Sequence, residues 1–389
     1  MPLRRFIDAD HADDVKEHIS RLTLARFVTN TGLRFAIPFL SIIGKSLGAS
    51  LNQMGVAASF GDFTGLAGPV IGHQLDRRSR RTTMSLCLGG VAFGTALAAG
   101  AQSVLAISLA FIVLSLAKLM FDNSMNAWIT ERTDYAKRAQ VIGLTEISWA
   151  GAVLVGIPLL AIVVYFSNWR FGYGILTVIV LAVAIHLWRV LPPDTPTVHA
   201  ESRARLEWSK PAIAGFLAFG LIMSTGQCLF VAFGTWLKDA FGFSTLGIGA
   251  VSFLLGGAEL VASTSTMRFT DKLGKRRAIR MGVALMIPTG CGLAVVGRVP
   301  SLGLALLALF FLGFEFAIVS FIPLVPTLQP KNPSSAFGIA VGLGTICRGI
   351  TAIVSTRLYT SHGIGGSALL AAGIGAVAIV LLTAVREPA

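Results

Sequence analysis

Apolar stretches of about 20 residues, separated by short polar breaks, recur twelve times along the 389-residue chain. Each is long enough to cross roughly 30 Å of hydrocarbon. They lie over 22–44, 51–75, 82–101, 104–128, 139–166, 171–190, 211–236, 245–267, 280–298, 301–327, 335–358 and 363–385. None alternates apolar with polar positions as a barrel strand does, and a backbone in lipid has to satisfy its own hydrogen bonds, so the pattern predicts helices throughout. Six fall in each half. The expected fold class is therefore an all-α membrane protein with twelve transmembrane helices in two six-helix bundles, 1–190 and 211–389. The polar stretch 191–210 is the cytoplasmic linker between them. Residues 1–21 are polar and charged, which predicts a short amphipathic helix on the membrane surface and no removable signal peptide.

The two halves echo one another. Asp76, in the run Gly72-His73-Gln74-Leu75-Asp76-Arg77-Arg78-Ser79-Arg80-Arg81, returns 195 residues later as Asp271, ahead of Lys275-Arg276-Arg277. Gly48 and Gly242, and Ser50 and Ser244, keep an offset of 194, while Gly143 and Gly338 keep 195. Such a tandem, parallel repeat predicts two bundles related by a pseudo-twofold axis. Ser50 and Ser244 each follow a glycine-containing turn and precede an apolar span, which suits a helix N-cap.

Composition excludes a soluble fold: 54% of residues are hydrophobic, 13% are charged and mean hydropathy is +0.74. The net charge of +13 follows topology. Of 32 Lys and Arg residues, 23 lie at the termini or in the even-numbered breaks, five lie on the opposite side, and four are within helices. By the positive-inside rule both termini are cytoplasmic, in an integral protein of a bacterial inner membrane. No separate basic domain exists to bind nucleic acid. The four cysteines fall in apolar segments without metal-ligand spacing, so no metal is expected. No phosphate-binding loop or nucleophile triad is present, which argues against an enzyme and against any cofactor.

Eight ionisable residues lie well inside the spans: Arg34, Asp62, Lys118, Asp122, Glu146, Glu259, Glu315 and Arg348. A charge at mid-bilayer costs on the order of 3 kcal/mol, so each is expected to face protein, water or a partner. Spans three, six, nine and twelve carry none and are free to face lipid. Lys118 and Asp122 stand at i and i+4 and can neutralise each other. Asp62 has no basic residue within a turn, and Arg34 matches it in depth; Asp62 and Asp122 are the leading candidates to load and unload a proton, ahead of Glu146, Glu259 and Glu315. Asn30, Asn123, Asn126 and Gln227 are neutral polar candidates for the cavity wall, and Trp149 and Phe121 for stacking on a ligand.

Position three of every three-helix unit is thus peripheral, which is also the arrangement of the major facilitator superfamily. The loop from Gly72 to Arg81 is similar to that family's G-x-L-A-D-R-x-G-R-R signature. Gly72, Asp76, Arg77, Arg80 and Arg81 match, while Ser79 replaces a glycine. Glu131, Arg138 and Gly143 resemble its D-x-x-P-x-x-x-R-x-x-x-x-G segment without the proline. On these motifs, the duplication and the twelve spans, the chain is identified as a member over its whole length.

The resemblance implies a cytoplasmic gate. In it Asp76 accepts hydrogen bonds from the start of the eleventh helix and Arg80 pairs with Glu131. Asp271 and Arg276 form a second copy, in which Pro326 stands where an acid would be needed. Within the family the chain resembles drug–proton antiporters with two departures: Lys118 stands in an arginine's place, and 151–158 reads Gly-Ala-Val-Leu-Val-Gly-Ile-Pro in place of G-P-x-x-G-G. The expected function is alternating-access transport: proton-coupled efflux of a small, partly hydrophobic or cationic compound by a monomer. The cationic preference rests on five buried acids against three buried bases. Proton-coupled uptake of a sugar, amino acid or other metabolite, lipid translocation, and a non-transporting sensor or scaffold are the alternatives.

Overall fold

The computed structural model describes residues 12–67, 79–133, 138–193, 206–331 and 333–385. Helices and the turns between them account for these residues, with no strand among them. In chain order they are α1 (Asp13–Arg34), α2 (Leu40–Ser46), α3 (Leu51–Phe63), α4 (Arg80–Gly100), α5 (Val104–Arg132), α6 (Arg138–Gly151), α7 (Ile157–Phe166), α8 (Trp169–Val190), α9 (Lys210–Phe241), α10 (Thr245–Leu273), α11 (Lys275–Val296), α12 (Pro300–Phe321), α13 (Pro333–His362) and α14 (Ile364–Ala384). Among the described residues, 11 helical runs are long and apolar enough to cross a membrane. The second predicted span is represented by α3 and a 3₁₀ turn, Thr64–Ala67; the rest of it lies outside the described residues.

Capping chemistry fixes where many of these helices begin. The hydroxyls of Ser50, Ser103, Ser209 and Ser244 accept from backbone amides three residues on, at 3.2–3.3 Å, and the Asn168 carbonyl does the same for α8. Ser50 and Gln53 complete a reciprocal capping box. Gly48 and Gly242, one repeat apart, both adopt φ +66°, a left-handed turn that glycine alone makes without steric cost. The repeat seen in the sequence is therefore a repeat of backbone conformation.

The N-terminal segment departs from expectation. Residues 13–21 do not form a separate surface helix; they are the first turns of α1. Val15, Ile19 and Leu22, at helical spacing, are fully buried, so the apolar face continues without a break into the membrane span. Pro38 interrupts the run further on: without an N–H it cannot continue the ladder, and a 3₁₀ turn, Ile37–Phe39, links α1 to α2.

By contacts the chain forms two compact units. One comprises residues 1–36 with 67–200, the other 37–66 with 201–389. Hence α2 and α3, which precede the linker by far, group with the C-terminal helices. The reason is local packing. Asn52 accepts from Thr360 at 3.0 Å, and a Cβ on Gly55 or Gly65 would run into Thr356 or Thr345, so α3 lies antiparallel against α13 along its length. Exposed apolar side chains line the bare helices, with Leu86 and Phe93 on α4, Val178 and Ile185 on α8, and Val377 and Val380 on α14. In water such a surface would aggregate; in lipid it costs nothing.

Candidate functional site

In the first unit, three helices present polar side chains at one-turn spacing towards each other: Arg26, Asn30 and Arg34 on α1; Lys118 and Asp122 on α5; Thr145, Glu146, Ser148 and Trp149 on α6. Residues four apart share a helix face, so each helix contributes a stripe. The contacts run in steps along α1. Arg26 donates from Nη1 to Glu146 Oε1 at 2.6 Å and to Thr145 Oγ1 at 3.1 Å. Its Nε lies 3.3 Å from Asp122 Oδ1, an attraction of charges without hydrogen-bond alignment. Lys118 Nζ donates to Asp122 Oδ2. One turn on, Asn30 Nδ2 donates to Ser148 Oγ at 3.1 Å. A further turn on, the Arg34 guanidinium lies over the Trp149 ring, 4.3 Å from its centroid, and bonds its carbonyl at 3.4 Å. Lys118 Nζ is 5.8 Å from the same ring.

This cluster is dry on one side and reachable on the other. Arg26, Lys118 and Arg34 are buried, whereas the Glu146 side chain is 39% exposed. Charges so enclosed interact strongly, and a proton gained by either carboxylate alters which cation it holds. Immediately after Trp149, Ala152–Gly156 winds as a π-helix into Pro158 at the start of α7. Pro158 cannot donate to the turn behind it, and the wide turn absorbs that missing bond.

The second unit holds a smaller arrangement. Asp62 on α3 meets Arg348 on α13 at 3.4 Å, Gln227 on α9 donates to Asp62 at 3.2 Å, and Arg348 donates to Gln227 Oε1 at 3.2 Å. The three close a ring in which every member touches the other two. Within this unit Arg348 is the cation that Asp62 meets, because α3 packs on α13. On α10 and α12, Glu259 and Glu315 are buried, and Glu315 accepts from Ser263 at 3.0 Å.

Of the gate motif, Gly72, Asp76 and Arg77 lie outside the described residues, as do the side chains of Arg138 and Asp271. Arg80 grips one oxygen of Glu131 through Nε at 3.0 Å and Nη2 at 2.9 Å. Arg81 stacks on Trp188 at the end of α8, 4.4 Å from the ring centroid. Its repeat partner Arg276 donates to the Val385 carbonyl, 2.9 Å away, at the end of α14. Both arginines tie the start of a third helix to the end of a sixth.

The family model described as Major Facilitator Superfamily matches residues 22–356. The chain belongs to the major facilitator superfamily. Solved structures agree on the fold. The human organic anion transporter MFSD10 (TETRAN) is similar at a TM-score of 0.71 and 15% identity, over 98% of this chain and 100% of that one. A bacterial homologue of the human lysosomal transporter Spinster, inward-facing and occupied, gives 0.72 and 15% over 95% and 94%. Its unoccupied inward-facing form gives 0.70 and 15% over 96% and 95%.

For this major facilitator protein, sequence reading missed one residue that matters: Arg26. It stands five positions into the predicted span 22–44 and was counted among helix residues without a role. The available signal was its spacing, since Arg26 and Arg34 are eight apart and share a face of α1. Asn126, one turn beyond Asp122, is half-buried, and its Oδ1 is a buried acceptor without a hydrogen-bond donor.

Proposed function

We propose that the protein is a proton-coupled secondary transporter that exports a small, partly hydrophobic compound by alternating access. The observation that carries this reading is Arg26 held between Asp122 and Glu146. Two carboxylates and a shared cation, enclosed by apolar helices, form a set whose pairing changes when one proton arrives. Neutral Asp122 or Glu146 releases its share of Arg26, and the helices that bear them, α1, α5 and α6, no longer need to stay together. The ring of Asp62, Arg348 and Gln227 is fully paired within its unit, which supports a structural role there.

Including Arg26, the buried acids number five against four bases, so the charge argument for a cationic substrate loses most of its force. Partly hydrophobic character rests on the aromatic and apolar side chains around the cluster. The positive-inside pattern supports cytoplasmic termini in a bacterial inner membrane, and the protein is read as a monomer.

Purified protein in liposomes with an imposed pH gradient tests this. An exporter working against protons accumulates substrate when the lumen is acidic. Uptake with protons is the second reading, favoured by the Lys118–Asp122 pair: a proton on Asp122 leaves the Lys118 charge available to a substrate. It predicts accumulation only when the outside is acidic. Identical transport with and without the gradient contradicts both.

A further inference from the structure

The first turns of α1 hold a buried histidine that the transport reading does not use. His18 is 4% exposed, and its Nδ1 receives a hydrogen bond from Arg21 Nη1, 2.8 Å away. A guanidinium has donors and no acceptor, so this contact exists only with Nδ1 bare and the imidazole neutral, its proton on Nε2. The ring also stands edge-on to Trp128 of α5, with centroids 6.1 Å apart and planes at 71°. Trp128 is fully buried and already has the Arg132 guanidinium over its ring, 4.5 Å from the centroid. Among the described residues the charges that act on His18 are Asp14, Glu17 and Arg21 of its own helix and Arg132 of α5.

We propose that His18 is an acid-sensitive latch: neutral, it docks the start of α1 on α5; protonated, it releases that start and slows transport. A proton on Nδ1 ends the bond from Arg21 and sets two cations at hydrogen-bond distance, with Arg132 a third on the adjoining indole. Like charges this close repel strongly where water is excluded. Glu17, whose side chain is exposed and already accepts from Arg21 at 3.3 Å, offsets this only in part. The docked state is therefore complete at neutral and higher pH and is lost as pH falls through the histidine range.

Release reaches the charge cluster because α1 is one unbroken helix from Asp13 to Arg34. His18, Leu22 and Arg26 stand four apart on one face, so a start that lifts from α5 draws Arg26 away from Asp122 on that same helix. On the topology proposed above this end lies in the cytoplasm. A protein that exchanges its substrate for entering protons acidifies that side, and the latch slows the exchange when it does. Docking by neutral His18 stands on the contacts alone; the effect on transport rests on the transport reading above.

Amide hydrogen exchange, read by mass spectrometry on the purified full-length protein in detergent, tests the latch without substrate or gradient, so a failure of proton coupling leaves its outcome untouched. From about pH 7.5 to about pH 5.5, with the intrinsic pH dependence of exchange divided out, protection over 13–21 is expected to fall about tenfold. The loss is expected to extend past Leu22 to Arg26. His18→Gln, whose amide oxygen still accepts from Arg21 and does not protonate, is expected to stay protected at both pH values. His18→Lys is expected to show the acid behaviour already at neutral pH. Should either variant fail to fold by size exclusion, Arg21→Gln removes the cation that a protonated His18 meets, and a smaller acid effect is expected. Equal exchange at the two pH values in the unmodified protein, or an equal acid loss in His18→Gln, overturns the latch. A loss confined to 13–21 overturns its link to Arg26.

Discussion

The two compact units solve the problem of buried charge differently. In the second, Asp62, Arg348 and Gln227 close a ring of three, one acid to one base, with the amide filling the remaining bonds. In the first, Arg26 divides itself between Asp122 and Glu146 while Asp122 also holds Lys118. A closed ring has one good arrangement. An open chain of shared partners has several of similar energy, and that is what a proton-driven switch requires. The difference lies in partner count rather than in burial, because both sets sit among apolar helices.

Removing the cations tests that contrast with the largest effect. Arg26→Met takes a cation from two carboxylates, of which Asp122 keeps Lys118, and unfolding in detergent is expected to lose about 3–5 kcal/mol. Arg348→Met strands one, which Gln227 still serves, and a smaller loss of about 1–3 kcal/mol is expected. Equal losses would remove the distinction between chain and ring.

Packing gives the next effect. A side chain at Gly234 would press on the backbone carbonyl of Pro38, which holds 37–46 against α9 in the second unit. Gly234→Val is expected to cost about 1–3 kcal/mol by overpacking, read as a lowered unfolding midpoint. An unchanged midpoint would show that the contact of 37–46 with α9 does not hold the second unit together.

Repeat-related caps give smaller and matched effects. Ser50→Ala and Ser244→Ala are each expected to lose about 1 kcal/mol, because the same hydroxyl serves the same backbone position in both copies. Arg81→Ala and Arg276→Ala are expected to lose about 0.5–1 kcal/mol each, one through stacking and the other through a helix C-terminal carbonyl. Unequal effects within either pair mark where the two copies have diverged.

Much of this was legible in the sequence because it depends on spacing along one chain. Helix spans follow from hydrophobic length, caps from Gly and Ser ahead of an apolar run, and the Lys118–Asp122 pair from an interval of four. What was not legible depends on which helices become neighbours. Nothing in the spacing around Asp62 says that α3 turns its polar face to α13, 286 residues from Asp62 to Arg348. Arg26 was passed over for the same reason: near the edge of a span it reads as an ordinary boundary charge, until α5 and α6 bring two acids to it. The N-terminal turns were misjudged because charged residues at 13–17 hid the buried stripe of Val15, Ile19 and Leu22.

The central claim is that proton exchange takes place in the open chain of the first unit and not in the closed ring of the second. Gradient-driven transport by Asp122→Asn and Asp62→Asn protein, reconstituted side by side at equal density, tests it most directly. The account predicts that Asp122→Asn loses its response to the pH gradient by about tenfold or more, equivalent to 1.4 kcal/mol of coupling, while Asp62→Asn keeps it. A gradient response that survives in Asp122→Asn and vanishes in Asp62→Asn would contradict it.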